Sequence, residues 1–124
     1  MAYDPDFGEW VREHLAGLGS IEIKRMFGGA SVYANGLIFA LLDDGVVWLK
    51  ADETNAPLLQ AAGARQFTYP TKDGKDMTMG YWSLPERAVD DADEAVDWAR
   101  QSIDAALRKA AAKRPRKAKP KPEL

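Results

Sequence analysis

Catalysis needs acid, base or nucleophilic side chains gathered in one place, and this sequence offers few of them. It holds one histidine, His14, and no cysteine, which removes disulfide scaffolds, thiolate metal sites and cysteine nucleophiles. His14 follows Phe7, Trp10 and Val11 at helical spacing, so its expected role is packing beside an apolar stripe rather than proton transfer. Ser20, Ser31, Ser83 and Ser102 stand in no Gly-x-Ser-x-Gly context, the elbow on which a serine nucleophile is usually raised. The carboxylates Asp90, Asp91, Asp93, Glu94 and Asp97 lack the glycine and alternating spacing of a calcium loop. They suit a helix start, where acidic side chains cap free amides and oppose the positive end of the dipole. Asp52 and Glu53 have the same explanation one helix earlier. Gly28-Gly29 has neither the third glycine of a dinucleotide fingerprint nor the Lys-Ser/Thr of a phosphate loop, and is expected to mark a bulge or tight turn between two strands. No enzyme activity, cofactor or metal is expected.

Binding chemistry is better represented. Phe67, Tyr69, Met79, Tyr81 and Trp82 are interleaved in space with cations if Lys24, Arg25 and Lys50 lie on the same sheet. Such a surface can stack bases, but the alternating motif of an RNA-recognition sheet is missing, so core packing is the expected role. Arg25, between Ile23 and Met26 in the neighbourhood of apolar residues, is expected to be partly buried and to need a polar partner. Charge is divided along the chain: residues 1–107 carry nine Lys/Arg against eighteen Asp/Glu, a net of −9, and residues 108–124 carry eight against one, a net of +7. The basic end, Lys113, Arg114, Arg116, Lys117, Lys119 and Lys121, can make salt-sensitive phosphate contacts or serve only as a solubilising extension.

These groups must be positioned by one domain, because 124 residues that are 46% hydrophobic leave little room for two. The longest apolar run, Gly36 to Leu42, is far short of the roughly 18 residues of a membrane span. Met1 to Phe7 carries no signal region, so a cytoplasmic location without membrane contact is expected. Asp4-Pro5 opens an amphipathic helix with Phe7, Trp10, Val11, His14, Leu15 and Leu18 on one side. Asn35-Gly36 and Asp44-Gly45 separate Ser31–Ala34, Leu37–Leu42 and Val46–Ala51, which predicts a three-stranded antiparallel meander. Val47, Leu49 and Ala51 share its dry face; Val46, Trp48 and Lys50 share a wetter one. A short or distorted helix is predicted from Glu53 to Ala62 around Pro57. A hairpin, Gln66–Tyr69 and Met77–Trp82 about Asp73-Gly74, and a long helix after Asp90 complete an α+β fold. The domain is expected over residues 1–107. Residues 108–124 should hold the end of the last helix and a tail in which Pro115, Pro120 and Pro122 forbid regular helix from Ala110 onward.

Three stretches, Arg25-Met-Phe-Gly-Gly29, Leu49-Lys-Ala-Asp52, and Phe67-Thr-Tyr-Pro70 followed by Met79-Gly-Tyr-Trp-Ser-Leu-Pro-Glu86, resemble the N-terminal domain of the TfoX/Sxy family from about Asp6 to Leu107. The resemblance implies a secretion-chaperone-like α+β fold: helix, three strands, helix, two strands, helix. It also implies a regulatory module of the natural-competence type that contacts a protein partner, in longer members a transcription factor, and no established catalytic residues. Arg25, Phe27, Gly28, Gly29, Lys50, Asp52, Gly80, Tyr81 and Trp82 match its motif positions and are the interaction candidates. The basic tail adds a possible contact to nucleic acid. A sheet edge, or an aromatic patch of Trp48 and Trp82, is the expected surface of a homodimer.

Overall fold

A computed structural model describes the backbone of residues 4–26, 29–70 and 76–118, and the side chains of 4–25, 29–68 and 80–112. The first helix, α1 (Pro5–His14), starts where expected: Asp4 Oδ1 accepts the Asp6 amide at 2.9 Å, and Pro5 occupies the first turn, where its missing N–H costs nothing. A single 3₁₀ turn (Ala16–Leu18) leads into a six-stranded antiparallel sheet of β1 (Glu22–Met26), β2 (Gly29–Ala34), β3 (Leu37–Asp43), β4 (Val46–Lys50), β5 (Gln66–Pro70) and β6 (Asp76–Ser83). The spatial order is β1-β2-β3-β4-β6-β5.

Two of the three predicted hairpin turns lie within the described residues and form by the expected means. Asn35 and Gly36 have φ of 53° and 80°, Asp44 and Gly45 of 52° and 75°, the positive angles whose twist matches that of paired strands. The meander has four strands rather than three. The additional one, β1, pairs Glu22 to Met26 with Tyr33 to Gly29. Its charged residues mask the strand pattern because it is an edge, where Glu22, Lys24 and Arg25 are exposed and Ile23 packs against the core. Gly29 opens β2 in close contact with β3: a Cβ there would lie 2.3 Å from the Leu42 carbonyl oxygen. The turn at Phe27-Gly28 and the one at Asp73-Gly74 lie outside the described residues.

Register separates the two faces of the sheet. Ile23, Val32, Ala40, Leu49 and Trp82 form one cross-strand row; Lys24, Ser31, Leu41, Trp48 and Ser83 form the next, on the opposite side. The first face packs against α1, with Val11 and Leu15, and against the last helix, with Ala95, Val96 and Ala99. The second is less wet than its sequence suggests, since Trp48 is 8% exposed and Ser31 fully buried.

The second helix is α2 (Ala56–Ala61), three residues later than predicted, with Pro57 in its first turn. Starting at Glu53 would put Pro57 where it breaks a backbone hydrogen bond. Residues 52–55 instead form a side-chain-stabilised turn. Asp52 Oδ1 accepts the Thr54 amide at 2.9 Å, and the buried Asn55 accepts the Asp52 amide at 2.8 Å while donating to the Lys50 carbonyl at 3.1 Å. A short helix, α3 (Glu86–Asp90), precedes the long one, α4 (Ala92–Ala118). They are separated by Asp91, extended at φ −131° and ψ 105°. Asp91 Oδ1 accepts the Asp93 and Glu94 amides, so the acidic cluster caps α4 as predicted. The helix runs on to Ala118 through Pro115, correcting the expectation of irregular chain from Ala110. Ala110 to Lys113 are strong helix formers, and a proline so near the end removes only one intrahelical bond.

Candidate functional site

The sequence candidates fall into two groups. Arg25 and Gly29 lie on β1 and β2, whereas Lys50, Tyr81 and Trp82 lie on β4 and β6 with Asp52 just beyond; β1 is three strands from β4. Lys24, Arg25 and Lys50 therefore do not form one basic edge. Arg25 is exposed rather than partly buried, because it stands near the end of an edge strand. Phe27 and Gly28 lie outside the described residues. Gly29 is a fold determinant by its contact with Leu42. Trp82, paired with Leu49, packs half-buried against the core face, whereas Trp48, paired with Ser83, lies on the other. The two indoles are thus on opposite sides of the sheet and form no shared patch.

What the fold does assemble is the corner where β4 leaves the sheet. Lys50 and Tyr81 are register partners on adjacent strands, and the Lys50 ammonium lies 5.2 Å from the centre of the Tyr81 ring, a cation–aromatic contact. Asp52 follows two residues later. From the far end of the chain α4 brings Ala105, Arg108 and Lys109 to the same place. A cleft of about 340 Å³ opens there, lined by Lys50, Ala51, Asp52, Gly80, Tyr81, Ala105 and Lys109. Arg108 holds Asp52 by two hydrogen bonds, Nε to Oδ2 at 2.7 Å and Nη2 to Oδ1 at 2.9 Å. This guanidinium, assisted by the Thr54 and Asn55 amides, lowers the Asp52 carboxyl from 3.8 to about 2 against the opposing effect of desolvation. Burial pushes the Tyr81 phenol upward, and the nearby Tyr33 adds to it, so the phenol is protonated at neutral pH.

Arg108 and Lys109 were assigned by sequence to the tail, and their part in this corner was missed. A signal was present: both follow Ala105 by one helical turn, so a stripe that buries Ala105 and Ala106 carries them toward the sheet. Of the tail candidates, Lys113, Arg114, Arg116 and Lys117 belong to α4; Lys119 and Lys121 lie outside the described residues.

Groups suited to proton transfer have structural partners. The Nε2 of His14 lies 2.7 Å from the Ala88 carbonyl oxygen, to which it donates as Nε2–H, and its ring stacks on Trp10 at 4.4 Å. This is the packing role read from its spacing. Asp52 is held by Arg108. Among the described residues no three His, Asp or Glu side chains gather as a metal site, and no helix is long and apolar enough to cross a membrane. A larger cleft, about 600 Å³, lies between α1 and α3, lined in part by Phe7, Trp10, Val46, Arg65, Glu86 and Asp90. None of the sequence candidates falls on it, and Arg65 already sits 5.4 Å over the Trp48 ring.

The family model of the TfoX N-terminal domain matches residues 13–106. Protein Sxy of Escherichia coli (strain K12) is 32% identical over 97 residues, 78% of this chain and 46% of Sxy, so the chain spans less than half the length of that relative. The match ends just before Arg108. With a family match over most of its length, and an α+β architecture that agrees with the fold the resemblance implied, this chain belongs to the TfoX N-terminal domain family.

Proposed function

We propose that this chain is a non-enzymatic regulatory module of the cytoplasm, related in role to competence regulators, that works by contacting a protein partner of the transcription-factor class. Family membership carries this reading. It is supported by His14, which stacks on Trp10 and donates Nε2–H to the Ala88 carbonyl, and by Asp52, which pairs with Arg108, the structural roles their positions in the fold give them. The corner of Lys50, Asp52 and Tyr81 is the proposed contact site, since motif positions of the family meet there with the base of the basic helix. Purified chain and the variant Lys50→Glu would be used to isolate partners, followed by size-exclusion chromatography of the reconstituted pair. A stoichiometric complex with a transcription regulator, weakened by Lys50→Glu, is expected. Turnover in a broad hydrolase and transferase screen, abolished by His14→Ala, would overturn the reading.

One observation favours a second reading, nucleic-acid contact through the basic end: α4 continues as helix to Ala118, which places Lys113, Arg114, Arg116 and Lys117 on an element anchored in the domain. Removing residues 113–124 tests it, because this cut keeps the Arg108–Asp52 contact that a cut after Leu107 would destroy. Duplex DNA affinity measured by anisotropy should then fall and lose its steep salt dependence. Equal affinity with and without residues 113–124 excludes the tail.

A further inference from the structure

The larger cleft, about 600 Å³, combines an apolar wall with an acidic rim. In the wall Phe7 and Trp10 stack with ring centres 5.7 Å apart, beside Val46, Leu84 and Val89, the last left 42% exposed. On the rim Glu86 and Asp90 stand one turn apart on α3. Both are exposed, and among the described residues neither has a hydrogen-bond or ion-pair partner. Arg87, next to Glu86 in sequence, turns instead to Glu94 at 3.0 Å, and Arg65 lies over the Trp48 ring. A part-exposed apolar wall beside two uncompensated carboxylates suits a segment in which apolar rings alternate with cations.

The chain itself carries such a segment. Lys119-Pro120-Lys121-Pro122 alternates ammonium groups with proline rings, within residues 108–124 of net +7 against −9 for residues 1–107. Each proline fixes φ and keeps the residue before it out of helix, which favours the extended form that aromatic grooves bind at low entropic cost. The segment cannot fold back onto its own cleft. α4 starts at Ala92, two residues after Asp90, and runs to Ala118, a span of about 40 Å at the α-helical rise. The four residues from Lys119 to Pro122 recover at most about 14 Å of that distance. We infer that the cleft of Phe7, Trp10 and Val89 takes the Lys119–Pro122 segment of a second copy of this chain. The proline rings lie on the aromatic wall, and Lys119 and Lys121 meet Glu86 and Asp90. Two α4 helices aligned antiparallel bring each segment to the other copy's cleft, so the exchange closes as a two-fold dimer. This contact goes beyond the proposed partner site at the Lys50 corner and does not depend on it.

The test is sedimentation velocity of the full chain over a wide concentration range, at low and high salt. A monomer–dimer equilibrium that moves toward monomer as salt rises is expected. One variant carries Glu86→Lys with Asp90→Lys, a second Lys119→Glu with Lys121→Glu. Each alone should dimerise about tenfold more weakly, the size expected for two partly exposed ion pairs, and an equimolar mixture of the two should restore the dimer. Pro120→Ala with Pro122→Ala, which keeps every charge, should weaken it as well. In amide NMR, a synthetic peptide of residues 113–124 added to the full chain should shift Gly45, Val46, Val89 and the Trp10 indole. A strict monomer, a dimer that the mixture fails to restore, indifference to the proline changes, or peptide shifts confined to other residues would each overturn the inference. An unrelated basic, proline-containing peptide that binds the cleft of a chain that stays monomeric would assign the cleft to another protein and overturn it too. None of these outcomes touches the regulatory reading, which stands or falls on the Lys50-dependent complex.

Discussion

Arg108 holds both carboxylate oxygens of Asp52 across 56 residues of sequence, and by that contact the last helix is fastened to the strand end that carries Lys50. The pair is partly open to solvent, with side-chain exposures of 43% and 31%, so salt screens it and its effect on stability is moderate. In geometry it ties α4, already packed on the sheet through Ala95, Val96 and Ala99, to the turn that follows β4.

Acid stability should report on this pair. Asp52 titrates at about 2 in the folded chain against an ordinary value of 3.8. The folded value is the lower one, so the stabilisation is present in full above the ordinary value and is lost as pH falls toward 2. Chemical-unfolding midpoints measured across that window should fall less steeply for Asp52→Asn than for the wild type. Parallel curves would show that Arg108 contributes nothing to folding.

Gly29→Ala should destabilise the domain by about 1–3 kcal/mol, since the new methyl group meets the Leu42 carbonyl at 2.3 Å and strands β2 and β3 must separate to admit it. Urea titration followed by tryptophan fluorescence measures this. An unchanged midpoint would mean that the two strands part easily.

Phe39 is the extra residue of a β-bulge: Val32 pairs with Ala40 and Tyr33 with Ile38, leaving Phe39 unpaired and fully buried. Phe39→Ala should cost about 3–5 kcal/mol by emptying the centre of the core. Replacement by leucine should recover part of that loss, and equal losses for both would indicate that ring shape rather than volume matters there.

His14→Ala removes the stack on Trp10 and the hydrogen bond to the Ala88 carbonyl. The expected loss is about 1 kcal/mol, with a change in Trp10 emission and no change in partner binding. A loss of binding without a loss of stability would give His14 a functional role that its packing does not suggest.

The features legible in the sequence are those decided within a few residues. Asp4 and Asp91 cap their helices because a short carboxylate reaches amides two or three residues ahead. Asn35-Gly36 and Asp44-Gly45 turn the chain because each pair tolerates positive φ. Alternation in β4 placed Val47 and Leu49 on the buried face without reference to any neighbour. Pro57 signalled a disturbed helix, but its exact start depended on the Asp52–Asn55 turn that competes with helix there. Beyond that range local rules say nothing. The edge strand β1 is held by pairing with β2 despite its charges, and the docking of β6 beside β4 puts Trp48 and Trp82 on opposite faces. Lys109 reaches the Tyr81 cleft only because a helix that starts at Ala92 crosses the sheet at one particular angle. Side chains far apart in sequence meet through the packing of whole elements, and that packing is a property of the assembled core rather than of any segment.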